Sequence, residues 1–142
     1  MPLPDPKPGL VINYSYLWRD EVAAGREEGR KNRPCVVILA VQTIEGSQVV
    51  TVAPVTHAEP TSRDVAVEMP AMVKKHLNLD DQRSWIVTTE VNRFTWPGGD
   101  LHPISRGRPG AFAYGFVPAD LIRKIRLQIA QRQAVTITTR DG

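Results

Sequence analysis

The sequence predicts a mainly β domain with a C-terminal helix, folded as a small, strongly bent sheet or barrel. Three observations lead there. Short runs of β-branched and apolar residues recur between turn signals. One of them, Val36 to Val41, is apolar at six consecutive positions and too short for a buried helix. The one clear helical stripe, Leu121, Ile122, Ile125 and Ile129, lies near the C-terminus.

Taken in order, "MPLPDPKP" has proline at every second position and reads as an extended lead-in over residues 1–8. It lacks a basic stretch followed by an apolar one, so it does not resemble a secretory signal. "GLVINYSY" places Leu10, Ile12, Tyr14 and Tyr16 on one face of a first strand. "LWRDEVAAGREEGRKN" is charged and has no apolar stripe. It predicts a long loop, with room for one helical turn around Glu21 to Gly25.

"PCVVILAVQ" is a central strand, with Pro34 at its start, where no ladder bond is lost. "TIEGSQ" turns the chain at Gly46, and "QVVTVAPVT" returns as the hairpin partner. "DVAVEM" alternates as a short strand, and a helical turn follows Pro70. "RSWIVTTEVNRFTW" reads as one long strand and "GAFAYGFV" as another. Pro118 and Asp120 suit the first turn of the final helix. Residues 134–142 are either a short edge strand or a frayed tail.

The 142 residues fit one domain with one core, and the charged fraction of 23% is ordinary for a globular chain. No run approaches the length of a membrane span. Cys35 is the sole cysteine, so an internal disulfide and a Cys-rich zinc site are both excluded. A cytoplasmic location suits that count. The net charge of +3 permits a nucleic acid or an acidic protein as partner without demanding either. His57, His76 and His102 are scattered and show no metal-ligand spacing, which argues against a metal site.

The chemistry concentrates where two strands meet. Arg33 opens the strand after the charged loop, and Thr56 closes its hairpin neighbour, so antiparallel pairing brings both to one end of the sheet. Arg33 offers a permanent charge and a planar fork of donors matched to phosphate. Thr56 offers a stiff, short hydroxyl. Arg30 and Lys31 extend the positive field. Glu90, Asn92 and Arg93 could read the edges of unstacked nucleic-acid bases, and Trp18 could stack on one. Glu90 and His57 are the candidates for a general base.

Each has a plainer alternative. Arg33 could be a gatekeeper against aggregation, Thr56 a strand-end hydroxyl bonded to backbone, and Glu90 with Arg93 a solvated pair.

The ordered set "NRPCVVIL", "VAPVT", "TTEVNRFTW" and "VPADLIRKI" resembles the MazF/PemK toxin family across roughly residues 8 to 130. The resemblance implies an SH3-like small barrel of the MazF/PemK/CcdB type and the toxin of a type II toxin–antitoxin pair. It implies a metal- and cofactor-free endoribonuclease acting on single-stranded RNA. A homodimer, a cognate antitoxin whose acidic segment covers the site, and contact with DNA only through that antitoxin also follow from it.

The family's cleavage-site arginine and threonine correspond to Arg33 and Thr56. Where some members carry an Arg and an Asp as acid–base pair, this chain has Val87 and Thr89, so the resemblance names no general base. A fold does not dictate an activity. A non-catalytic module of this fold, acting on a protein target or only binding nucleic acid, is the alternative.

Overall fold

A computed structural model describes residues 3–27, 29, 31–104, 111–132 and 134–140. Among them the chain forms eight strands and three helices, in the order β1 (Leu10–Tyr14), α1 (Arg19–Ala23), β2 (Arg33–Gln42), β3 (Gln48–Thr56), β4 (Ala66–Glu68), α2 (Ala71–His76), β5 (Trp85–Val87), β6 (Glu90–Thr95), β7 (Ala113–Phe116), α3 (Ala119–Ala130) and β8 (Thr136–Thr139). The sheet runs β4-β5-β3-β2-β1-β7, with β6 also paired to β3 and β8 to β6. The expected mainly β fold with a C-terminal helix is the one observed.

The β2–β3 hairpin is the spine. Its register runs from Gln42 opposite Gln48 to Cys35 opposite Pro54. One extra residue, Ile38, interrupts the ladder between the Val37–Val52 and Leu39–Thr51 pairs. Such a bulge sharpens the local twist. The freed Ile38 carbonyl accepts a 2.8 Å hydrogen bond from Arg126 Nε on α3, which ties the helix to the bend.

The core has two parts, one on each face of the sheet. Val11, Val36, Ile38, Ala53 and Val55 pack with Leu121 and Ile125 of α3. Leu10, Ile12, Tyr14, Tyr16, Cys35, Val37 and Phe94 fill the other side. The alternation read from the first strand and the stripe on the last helix therefore each found a core to face. Burial drives the Cys35 thiol far above its ordinary value, against the pull of Arg33 and Arg140.

One expectation about the strands is corrected. Residues 83–96 are not one strand: the chain breaks at Thr88 and Thr89 into β5 and β6. β3 pairs with both, Val49–Val52 against β6 and Val55–Thr56 against β5, so the sheet bends where the partner changes. Thr88 is held at the kink by Gln128 of α3, whose Nε2 donates to its hydroxyl at 2.8 Å.

Of the two alternatives for the tail, the structure has the short edge strand. β8 lies parallel to β6, with Glu90 opposite Thr136 and Arg93 opposite Thr139. Arg140 anchors it. Its side chain is 4% exposed and bridges to Asp100 at 3.0 Å. It also donates to the Ser15 carbonyl at 2.9 Å and to Asn92 Oδ1 at 3.1 Å. A buried guanidinium with every partner in place resists fraying.

Candidate active site

The β2–β3 register, continued two residues beyond Cys35 and Pro54, sets Arg33 against Thr56. Both line a cleft of about 570 Å³ together with Trp18, Lys31, His57 and Asp80. The juxtaposition expected from the hairpin is thus present. Arg30 lies outside the described residues.

Arg33 is half-buried, and its guanidinium carbon stands 4.9 Å from the centre of the Trp18 ring. Nη1 reaches the Val55 carbonyl only at 3.5 Å, the limit of a hydrogen bond. Nε is buried and has no hydrogen-bond partner among the described residues. A buried, unmatched donor on a charged group is costly. Here it belongs to a guanidinium on the wall of an open cleft. That arrangement can take an anion with bidentate geometry. Beside it, Thr56 Oγ1 accepts from Ala58 N at 3.1 Å, which orients the hydroxyl and leaves its proton free to donate.

Trp18 is the hinge of the arrangement. It packs edge-on against Tyr16, 4.9 Å between ring centres. It also lines a second cleft of about 420 Å³, shared with Lys31 and Arg33 and walled by Tyr16, Asp20 and Glu21. Lys31 is exposed and faces both clefts. Gly29 lets the loop that leads to it lie close to the first strand, since a Cβ there would stand 2.2 Å from the Tyr16 carbonyl oxygen.

The β6 residues do other work. Asn92 is fully buried. Its side chain clamps Leu17, accepting from the backbone N–H and donating to the carbonyl, both at 2.9 Å. It cannot read a base, and that expectation is corrected.

Glu90, 5% exposed, accepts from Tyr16 OH at 3.1 Å and from Arg19 N at 3.0 Å, and its second oxygen lies 3.7 Å from Arg19 Nε. Burial raises its carboxyl above the ordinary range, against the lowering hydrogen bonds from Arg19 and Tyr16. It lines neither cleft. It fixes the start of α1, and with Asn92 it holds the segment that carries Trp18. Arg93 is exposed, paired across from Thr51, and lines neither cleft.

Sequence reasoning missed Asp80 and Lys74. His57 Nε2 lies 2.7 Å from Asp80 Oδ2, and the other oxygen of Asp80 accepts from Lys74 Nζ and, at 3.1 Å, from Gln82 N. Partial burial pushes the Asp80 carboxyl up, but the hydrogen bonds from Lys74 and His57 outweigh it and hold it below the ordinary range. "KKHLNLDDQ" carried no periodic signal that singled out Lys74 or Asp80. Their partnership with His57 arises only where Lys74 of α2 and the loop after it meet the residue that follows β3. Among the described residues no group of three His, Cys, Asp or Glu side chains could hold a metal ion.

A small bent sheet thus carries, at one hairpin end, a cleft lined by Lys31, Arg33 and Lys74. Residues 16–95 match the family of PemK-like, MazF-like toxins of type II toxin–antitoxin systems, and the chain belongs to that family. No curated protein and no solved structure matches it significantly. No helix among the described residues is long and apolar enough to cross a membrane.

Proposed function

We propose that this toxin-family chain is an endoribonuclease that cuts single-stranded RNA at the Arg33–Thr56 cleft without a metal ion. The observation that carries the reading is the Arg33 guanidinium on the cleft wall, incompletely matched by the described residues, beside an oriented Thr56 hydroxyl. Attack by a ribose 2′-hydroxyl on the adjacent phosphorus builds negative charge on the phosphate oxygens. Arg33 neutralises that charge with a permanent cation, and Thr56 donates to one of the oxygens. Preorganised electrostatic support of this kind is usually the largest catalytic contribution. Lys31 gathers the RNA backbone, and Trp18, already stacked on Arg33, offers a face to an unstacked base.

The same positive cleft suits the acidic segment of a cognate antitoxin, which would block the site by occupying it. A homodimer, a cytoplasmic setting and one domain over residues 1–142 complete the reading, with DNA met only through the antitoxin.

The test is purified protein incubated with several single-stranded RNAs in excess chelator. Cleavage persists in the wild type and falls by about 10²- to 10³-fold in Arg33→Ala. Growth arrest with intact cellular RNA, and no cleavage by clean protein, would refute the reading in favour of a non-catalytic toxin.

A further inference from the structure

The cleft that holds Arg33 and Thr56 also holds a chain of three paired side chains that neither of those residues uses. Lys74, on α2, has a side chain 5% exposed. Its ammonium donates to Asp80 Oδ1 and to the Gln82 carbonyl. The Gln82 N–H adds a second donor to the same Asp80 oxygen at 3.1 Å. The remaining oxygen, Oδ2, lies 2.7 Å from His57 Nε2.

A buried ammonium and a backbone amide thus fix one end of a carboxylate, and its other end takes an imidazole. The imidazole side chain is half exposed and lines the cleft one residue beyond Thr56. A solvated surface pair would need no buried cation behind it.

We propose that His57 is the general base of the RNA cleavage, with Asp80 as its positioning residue and Lys74 as the anchor of Asp80. The proposal rests on the endoribonuclease reading of the same cleft. Asp80 accepts the proton on Nε2, so the neutral tautomer carries its lone pair on Nδ1. Nδ1 takes the proton of the ribose 2′-hydroxyl. The 2′-oxygen forms its bond to phosphorus, and the bond from phosphorus to O5′ breaks with its electron pair on O5′. O5′ is protonated by a solvent water. The products are a 2′,3′-cyclic phosphate and a 5′-hydroxyl, and the imidazolium returns its proton to solvent.

The charged groups that face His57 are Asp80, from the loop after α2, with Lys74 behind it, and Lys31 and Arg33 at the entry to β2. A general base acts only when deprotonated, so kcat carries an ascending pH limb that removal of the base abolishes.

The experiment measures kcat and KM against pH for the wild type, His57→Gln, Asp80→Asn and Arg33→Ala. His57→Gln keeps a donor for Asp80, so Lys74 retains its partner. The expected results are a wild-type kcat that rises with pH along an ascending limb, and a His57→Gln kcat lower by about 10²-fold or more with little change in KM. The limb is absent in His57→Gln. In Asp80→Asn, which leaves the imidazole without its carboxylate partner, kcat falls with little change in KM.

Full activity in His57→Gln, or a reduced rate that keeps the limb, overturns the assignment of the base, while loss in Arg33→Ala leaves the cleavage reading standing. A kcat equal to the wild type's in Asp80→Asn overturns the role of Asp80. No cleavage by the wild type at any pH overturns both proposals.

Discussion

Two polar clusters meet at Trp18, and they differ in how far they are paired. Behind it, Glu90, Asn92 and Arg140 bind Ser15, Leu17 and Arg19 through a connected set of hydrogen bonds, nearly all of it removed from water. In front, the Arg33 guanidinium lies on the Trp18 ring with a buried Nε that nothing among the described residues accepts. All of these are charged or amide side chains of the kind that binds nucleic acid. Residue type alone does not separate the groups that hold the fold from those that can serve a ligand. Around Trp18, satisfaction does: the complete network rigidifies, whereas the guanidinium on the cleft wall keeps donors that the protein does not match.

The largest effect expected on this contrast comes from Arg140→Met. It strips donors from Asp100, from the Ser15 carbonyl and from Asn92 at once. Removing one partner from a buried ionic network costs about 3 kcal/mol, which lowers the midpoint of thermal unfolding by roughly 10 °C in a domain of this size. Calorimetry checks it. A loss below about 1 kcal/mol would mean that β8 is the frayed tail after all.

A smaller effect sharpens the same side of the contrast. Glu90 is buried, and its raised carboxyl makes the protonated form the better fit to the fold. The sign follows from linkage. A folded-state value above the unfolded one contributes stability that is fully present below the ordinary carboxylate range and lost as pH rises through the raised value. Glu90→Gln, which still accepts from Tyr16 and Arg19, flattens that loss. Unfolding midpoints of the two proteins therefore converge at acid pH and separate above it, with the variant higher. Parallel curves would place the Glu90 carboxylate in water.

The smallest expected effect tests the open side. Arg33→Met removes the unmatched Nε and the stacking on Trp18 together, two contributions of opposite sign, so stability changes by no more than about 1 kcal/mol while cleavage is lost. A fall as large as that of Arg140→Met would make Arg33 a structural residue and erase the distinction between the clusters.

Much of this molecule was legible in its sequence. The alternation of Leu10, Ile12, Tyr14 and Tyr16 named one wall of the core, and all four are buried there. The stripe on the last helix named the side of α3 that packs, with Leu121 and Ile125 buried. Arg33 and Thr56 could be brought together on paper because a hairpin converts sequence distance into register.

The failures have a common physical origin. Residues 83–96 carry an unbroken strand pattern, but one strand cannot follow a neighbour through a sharp bend, and β3 changes partners there. Asn92 and Glu90 alternate as a polar face would, yet α1 and the segment before it cover that face.

Local sequence determined what short-range physics controls: which segments extend, which one coils, where the chain turns, and that a cation and a hydroxyl share one end of a hairpin. Only tertiary packing decided what depends on long-range neighbours. It turned Asn92 and Glu90 inward, carried Arg140 from the tail to Ser15, and set Asp80 against His57. Whether a polar side chain is catalytic or structural depends on which donors and acceptors reach it. Here those partners come from residues as many as 125 positions away, as Arg140 and Ser15 are, at separations where no periodicity in the sequence records them.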